Sequence, residues 1–358
     1  MVTNTLQVNN MIGRYKVCIK AQRVIYNFYL NNKVTIIRGD SANGKTTLYD
    51  LIVDYRSDKE SSGIDISITP NCNIIPFSSL LWEEGARPEN SIIIIDEHFK
   101  YLSNHDFNTF LNTSNNYFII SDRDDTGNLD FGIEDMYELH TSGKYTTFNK
   151  MYTNYLKLIK NDDINYRKVH INDIDKIITE DSALGCKFYY KLYDKETISS
   201  YGNSKVLNTV LDNINSKLFI VVDGSAFGKF IQPLDALIRR RDNLHLFIPD
   251  SFECVLLKSD VIGITKEQDA KYYEGIDVND ILKSPKDYID ITKFTLERYY
   301  EDILVKCMAH TKFPYSKSSE NDFYVSAKLL SNARKIIPID LTKDDFNIDV
   351  NKMKIEFE

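Results

Sequence analysis

The sequence has no run approaching about 18 consecutive apolar residues, the length a membrane-crossing helix needs. Its first residues, MVTNTLQVNN, lack the charged-then-apolar order of a secretory leader. The expectation is a soluble, cytoplasmic protein with no membrane partner. A basic excess is missing too. There are 44 Lys and Arg against 52 Asp and Glu, a net charge of −8. That excludes a uniformly basic nucleic-acid coat and leaves room only for a local basic groove. The five cysteines, Cys18, Cys72, Cys186, Cys254 and Cys307, stand singly, with no Cys-x-x-Cys and no Cys/His spacing suited to zinc. They read as buried, reduced thiols. His98, His105, His140, His170, His245 and His310 likewise show no ligand spacing. No internal repeat and no low-complexity segment is present. What is there is apolar material: 42% hydrophobic and 27% charged residues in 358, enough for two cores and too much for disorder.

Two blocks of alternating strand and helix patterns follow one another. In the first, Tyr15–Lys20 and Ile25–Leu30 alternate as half-buried antiparallel strands do, with a turn at Asn31-Asn32. Val34–Arg38, Ser91–Ile95 and Tyr117–Ser121 are short continuous apolar runs, the signature of parallel strands covered on both faces. Met136–Leu139 and Tyr145–Phe148 form a closing hairpin. Residues from about 150 to 172 show no core pattern and mark a junction. The second block reads as strand 176–179, helix through Phe188, strand 197–201, helix through Val206, strand 218–222, helix 234–240 and strand 244–248. Beyond residue 265 the pattern turns helical, from Tyr288 to His310, with a mixed tail. The expected division is 1–155, 172–265 and 266–358.

The strongest motif is Gly39-Asp40-Ser41-Ala42-Asn43-Gly44-Lys45-Thr46, a complete G-x-x-x-x-G-K-[ST] between a buried strand and a helix-like run opening at Thr47. Glycines let the backbone curl so that successive N–H groups face phosphate oxygens, and the helix N-terminus adds partial positive charge. Lys45 is placed for the β- and γ-phosphates, and the Thr46 hydroxyl for Mg²⁺. Asp96 and Glu97 close the next isoleucine-rich strand. Asp96 suits the magnesium water shell and Glu97 the polarising of an attacking water. This pattern predicts a nucleotide-binding domain for ATP and Mg²⁺.

Strand, loop, helix, then Ile92–Ile95 with Asp96-Glu97, then a strand ending Ile119-Ile-Ser-Asp-Arg123, resembles the ABC/AAA branch of P-loop ATPases; the early antiparallel strands favour the ABC side. The resemblance implies ATP hydrolysis and a homo-oligomer or partner protein completing the site. The Leu-Ser-Gly-Gly-type signature and helical arm of ABC ATPases are missing between Thr46 and Asp96. Arg123 reads either as a γ-phosphate sensor or as a surface arginine.

In the second block Glu180-Asp181 follow the first strand, Gly202-Asn203 the second, and Asp223-Gly-Ser225-Ala-Phe-Gly228 the third. Carboxylates at the carboxyl ends of parallel strands converge on the crevice where α/β sheets bind ligands, and a divalent metal relieves their repulsion. The alternative is an α/β domain whose acidic loop residues cap helices. The order strand-Glu, strand-Gly, strand-Asp-x-x-x-x-Gly resembles the Toprim domain of topoisomerases, primases and OLD-family nucleases. That resemblance implies an acid/base role for Glu180 and Mg²⁺ binding at Glu180 and Asp223, with Ser225 standing where the family has a second aspartate. Asp181, Asp250 and Glu253 are candidates to compensate. Arg239-Arg-Arg241 reads either as a phosphate contact or as a solvated helix end.

The expected fold class is therefore α/β: a P-loop NTPase parallel sheet with antiparallel N-terminal strands, a Toprim-like α/β domain and a helical C-terminal extension. The tandem layout resembles OLD-family nucleases and ATPase/Toprim antiphage effectors. It implies an ATPase whose nucleotide state gates a Mg²⁺-dependent nuclease acting on nucleic acid. The alternative is an ATP-dependent switch or scaffold with a non-cutting Toprim-like domain that binds a partner. A small-molecule kinase is a third reading.

Overall fold

A computed structural model describes residues 11, 13–39, 44–59, 61–121, 129, 131–152, 170–289, 295–317, 322–337 and 339. The fold is α/β, with a large mixed sheet, a smaller parallel sheet, and helices. Two compact units divide it. The first comprises 1–153, 225–229 and 279–299; the second comprises 154–224, 230–278 and 300–358. The chain thus passes between units at 153/154, 224/225, 229/230, 278/279 and 299/300.

The first unit opens with β1 (Tyr15–Lys20) and β2 (Ile25–Leu30), paired antiparallel with Tyr15 opposite Leu30. Inward positions alternate along both strands, as they must where one sheet face is covered. Then come β3 (Val34–Arg38), α1 (Lys45–Ser57), β4 (Asp65–Thr69), β5 (Asn73–Pro76), α2 (Ser79–Glu83), β6 (Ser91–Ile95), α3 (His105–Thr113), β7 (Tyr117–Ser121), β8 (Met136–Ser142) and β9 (Tyr145–Lys150). All nine strands join one sheet in the order β4-β1-β2-β9-β8-β3-β7-β6-β5. The run β8-β3-β7-β6-β5 is parallel throughout. Every residue of β3, β6 and β7 is buried, which is why these strands read as continuous apolar runs. The hairpin of β8 and β9 closes antiparallel, and β9 returns to pair with β2.

Strands β4 and β5 were not expected from the sequence pattern. Asp65-Ile-Ser-Ile-Thr does alternate, and it pairs antiparallel with β1 as the edge strand. Its polar outward residues left the pattern weak. The helical pattern expected from Tyr288 to His310 is a helix at Leu296–Met308, with 290–294 outside the described residues.

In the second unit the order is β10 (Lys176–Thr179), α4 (Leu184–Tyr193), β11 (Glu196–Ser199), α5 (Val206–Asp212), β12 (Leu218–Val221), α6 (Ile231–Ile238), β13 (Leu244–Phe247) and α7 (Phe252–Lys258). The four strands are parallel, in the order β11-β10-β12-β13. From β10 the chain steps first to one side, to β11, and then to the other, to β12. Such a reversal, here at the carboxyl ends of β10 and β12, is where α/β sheets form their ligand crevice. No helix among the described residues is long and apolar enough to cross a membrane.

Candidate functional site

The first candidate site lies at the carboxyl edge of the parallel strands of the first unit. Register aligns Ile37 of β3 with Ser121 of β7, and Ile120 of β7 with Ile95 of β6. The loop after β3 and the acidic pair after β6 therefore leave the same edge, one strand apart. Gly39 and Gly44 bracket the loop with φ of 137° and 89°, backbone open to glycine and strained for other residues. Asp40, Ser41, Ala42 and Asn43 lie outside the described residues. Helix α1 begins directly at Lys45, with no acidic residue in its first turn. The positive end of its dipole is thus not neutralised by its own side chains. Lys45 is buried, and its ammonium donates to the Gly39 carbonyl, drawing the two ends of the loop together. Thr46 and Thr47 stand exposed at the same helix end.

Tyr26 is a site residue that the motif does not reveal. From an inward position of β2, its hydroxyl donates to the Gly44 carbonyl at 2.8 Å and also engages Thr47. A Cβ on Gly44 would come within 3.0 Å of that hydroxyl oxygen. Burial pushes the Tyr26 phenol up to about 12, with the Thr47 hydrogen bond pulling it the other way. The only sequence signal for Tyr26 is its parity in β2, which shows that it faces inward and nothing about what it meets.

Asp96 and Glu97 are half-buried. An Asp96 carboxylate oxygen accepts the His98 backbone N–H at 3.0 Å, and Glu97 Oε1 lies 3.9 Å from His98 Nε2. Tyr49, one turn into α1, has its phenol raised by burial, then by the charges of Asp96 and Asp50. The helix that carries Lys45 and the strand that ends in Asp96 are therefore electrostatically in touch. The Thr46 hydroxyl and Asp96 carboxylate are hard oxygen donors of the kind Mg²⁺ takes, and the uncapped helix start suits phosphate. Arg123 lies outside the described residues.

The second candidate site is the crevice of the second unit. Thr179 and Val221 are register partners, so Glu180 and Asp223 leave adjacent strands within one residue of each other. The Asp223 backbone N–H donates to Glu180 Oε2 at 3.0 Å, and the Gly202 N–H donates to the Glu180 carbonyl at 3.0 Å. All three sequence positions singled out there meet. Ser225 sits in a 3-10 turn, Gly224–Ala226, directly after Asp223.

The three candidates to make up for the serine are engaged elsewhere. Asp181 turns its carboxylate to the start of α4, accepting from the N–H groups of Ala183 at 2.9 Å and Gly185 at 2.6 Å. Asp250 accepts from the Tyr300 hydroxyl at 3.2 Å. Glu253 is buried and accepts from the Tyr315 hydroxyl at 2.8 Å, with Lys317 Nζ 3.6 Å away. Tyr315 is held well above the usual phenol range by burial, then by Glu253. Among the described residues no group of three or more His, Cys, Asp and Glu side chains is placed to hold a metal. Two carboxylates nonetheless fit Mg²⁺, which commonly takes one or two from the protein and keeps water or substrate phosphate for the rest.

The remaining sequence features settle locally. Arg239 Nε donates to both oxygens of Asp235, at 2.9 and 3.0 Å, one helical turn back. Cys254 and Cys307 are buried, while Cys18, Cys72 and Cys186 are half-buried, and all five are free thiols. Burial pushes Cys72 and Cys307 up to about 11, which leaves them poorly nucleophilic. No protein-family model matches the chain, and no curated protein matches it.

Proposed function

We propose that the chain is an ATP-binding and ATP-hydrolysing protein whose nucleotide state gates a Mg²⁺-dependent phosphodiester-cleaving site at Glu180 and Asp223. The observation that carries the nucleotide half is the common sheet edge. The Gly39–Thr46 loop and the Asp96-Glu97 pair emerge from it with one strand between them, and Lys45 opens a helix whose first turn holds no acid. In this reading the loop N–H groups and Lys45 bind the phosphates. Thr46 and Asp96 hold Mg²⁺, and Glu97 orients the attacking water. Magnesium supplies charge neutralisation at the phosphates when bound. Gating is supported by the path of the chain, which enters the first unit again at 225–229, two residues after Asp223, and at 279–299.

For the second half, the support is the meeting of Glu180 and Asp223 at the reversal point of a four-stranded parallel sheet. Glu180 would move the proton there, and Glu180 and Asp223 would hold a Mg²⁺ supplying charge stabilisation at the phosphate. Lys45→Ala is expected to lower ATP turnover by on the order of 100-fold, as loss of a charge-stabilising donor does. Glu97→Gln is expected to keep ATP bound while losing turnover. Phosphate release, with nucleotide binding measured in parallel, checks both; unchanged turnover in Lys45→Ala sinks the nucleotide reading. Cleavage of DNA and RNA left intact by both Glu180→Ala and Asp223→Ala sinks the assignment of the second site.

A second reading rests on Ser225 and on the engagement of Asp181, Asp250 and Glu253 by other groups. In it ATP biases two conformations, and the second unit binds a partner without cutting. It predicts that Mg-ATP changes the oligomeric state or partner binding of the wild type and not of Lys45→Ala. A size-exclusion profile indifferent to nucleotide in both removes it.

A further inference from the structure

Tyr189 is a residue beside Asp223 that neither the sequence motif nor the carboxylates account for. The residue is 2% exposed, and among the described residues its hydroxyl oxygen meets no hydrogen-bond partner. A buried hydroxyl without a partner costs free energy, so its retention calls for a reason.

Topology says where that hydroxyl lies. Helix α4 follows β10 and packs against β10 and β11, and from it Tyr193 reaches over to Phe219 of β12, edge-on at 6.4 Å between ring centres. In a parallel β-helix-β step the helix runs back against the strands. Tyr189, one turn before Tyr193, is therefore displaced by about 6 Å toward the carboxyl end of β12. The Tyr189 ring also lies 6.4 Å from that of Phe252, the first residue of α7, which starts just beyond β13. Between β10 and β13 stands β12 alone, and Asp223 is the second residue past its end. The electrostatics agree: burial holds the phenol well above its usual range, and Asp223 is the foremost charge acting on it, ahead of Asp181.

We infer that Tyr189 is a positioning residue for Asp223: its phenol donates to the outer oxygen of the Asp223 carboxylate once that carboxylate turns to bind a divalent cation. This rests on the proposed metal site at Glu180 and Asp223. A ligating carboxylate works best when a hydrogen bond fixes its second oxygen. The hydroxyl is a cost to the metal-free fold that the metal-bound site recovers.

The test compares the full-length wild type, Tyr189→Phe and Asp223→Asn in two measurements: Mn²⁺ binding by calorimetry, and thermal midpoint in chelator. Tyr189→Phe is expected to bind Mn²⁺ about 10–100-fold more weakly, the usual loss on removing such a partner. Its metal-free midpoint is expected to rise by about 2 °C, because a buried, unsatisfied oxygen is gone. A tyrosine whose hydroxyl is already hydrogen-bonded in the metal-free fold gives the opposite thermal sign. Unchanged Mn²⁺ affinity in Tyr189→Phe, with binding lost in Asp223→Asn, overturns the role of Tyr189 and leaves the metal site standing. A lowered midpoint overturns it as well. If Asp223→Asn binds Mn²⁺ like the wild type, the metal site itself falls, and the positioning role with it.

Discussion

Lys286→Ala is expected to destabilise the first unit by about 3–5 kcal/mol, the range for removing one partner of a buried ion pair. Lys286 sits in the 3-10 turn Pro285–Asp287, and its ammonium lies 3.2 Å from Glu134 Oε2, with side-chain exposures of 15% and 7%. Beside it, Asp135 is also buried; it accepts from the Gly132 N–H at 2.7 Å and from the Asn32 side chain. Burial alone works against the lysine charge. Glu134, Tyr137 and Asp135 outweigh it and hold the ammonium above its ordinary pKa. Without Lys286 two neighbouring buried carboxyls have no cation between them. The check is the denaturant midpoint of the first unit, followed through Trp82. Lys286→Met with Glu134→Gln should recover most of the loss, since it leaves no orphaned charge. A change under about 1 kcal/mol in Lys286→Ala would falsify the account.

The same cluster makes stability depend on pH in a particular direction. Burial, then the charge of Glu134, raise the Asp135 pKa above the usual 3.8. Between that value and the raised one, the folded chain keeps a proton which the unfolded chain has released. The contribution of Asp135 is therefore complete below about pH 4 and is lost as pH rises through its folded pKa. Lys286 acts to lower that pKa, so Lys286→Ala is expected to extend the loss to higher pH. Asp135→Asn should flatten the dependence over this window.

Gly228→Ala is expected to cost about 3 kcal/mol through steric overlap alone. A Cβ there meets Phe131 Cδ2 at 2.4 Å, its Cε2 at 2.5 Å and the Phe131 carbonyl oxygen at 2.5 Å. That carbonyl also accepts the Gly228 N–H at 3.0 Å, so the backbones cannot separate without losing a hydrogen bond. Both residues belong to the first unit. Thinning the ring with Phe131→Leu is expected to return less than half of the loss, because the carbonyl stays in place. Full rescue by Phe131→Leu would mean that the ring alone sets the limit. Thermal midpoints of the two single variants and the double variant separate these cases. The glycine was visible in the sequence as the end of an Asp-x-x-x-x-Gly pattern. Its close approach to a residue 97 positions earlier was not visible.

The sequence by itself determined the local elements and the chemistry at their ends. Periodicity two set apart β1 and β2, whose one face is covered, from β3, β6 and β7, whose isoleucine-rich runs are covered on both. Glycine spacing placed the loop before α1, because the needed backbone angles are nearly private to glycine. Acidic residues directly after apolar runs placed Asp96, Glu180 and Asp223 at carboxyl ends of strands. Tertiary structure alone decided the rest. Strand order put Asp96 one strand from the loop and brought Glu180 beside Asp223. It also spent Asp181, Asp250 and Glu253 on a helix start and two tyrosines, assigned Tyr26 to the loop, and carried Lys286 to Glu134. The reason is physical: backbone preference and hydrophobic period act over a few residues and are written in neighbouring letters. Which strands pair, and which buried polar groups find each other, depends on burial energies summed over segments far apart in the chain.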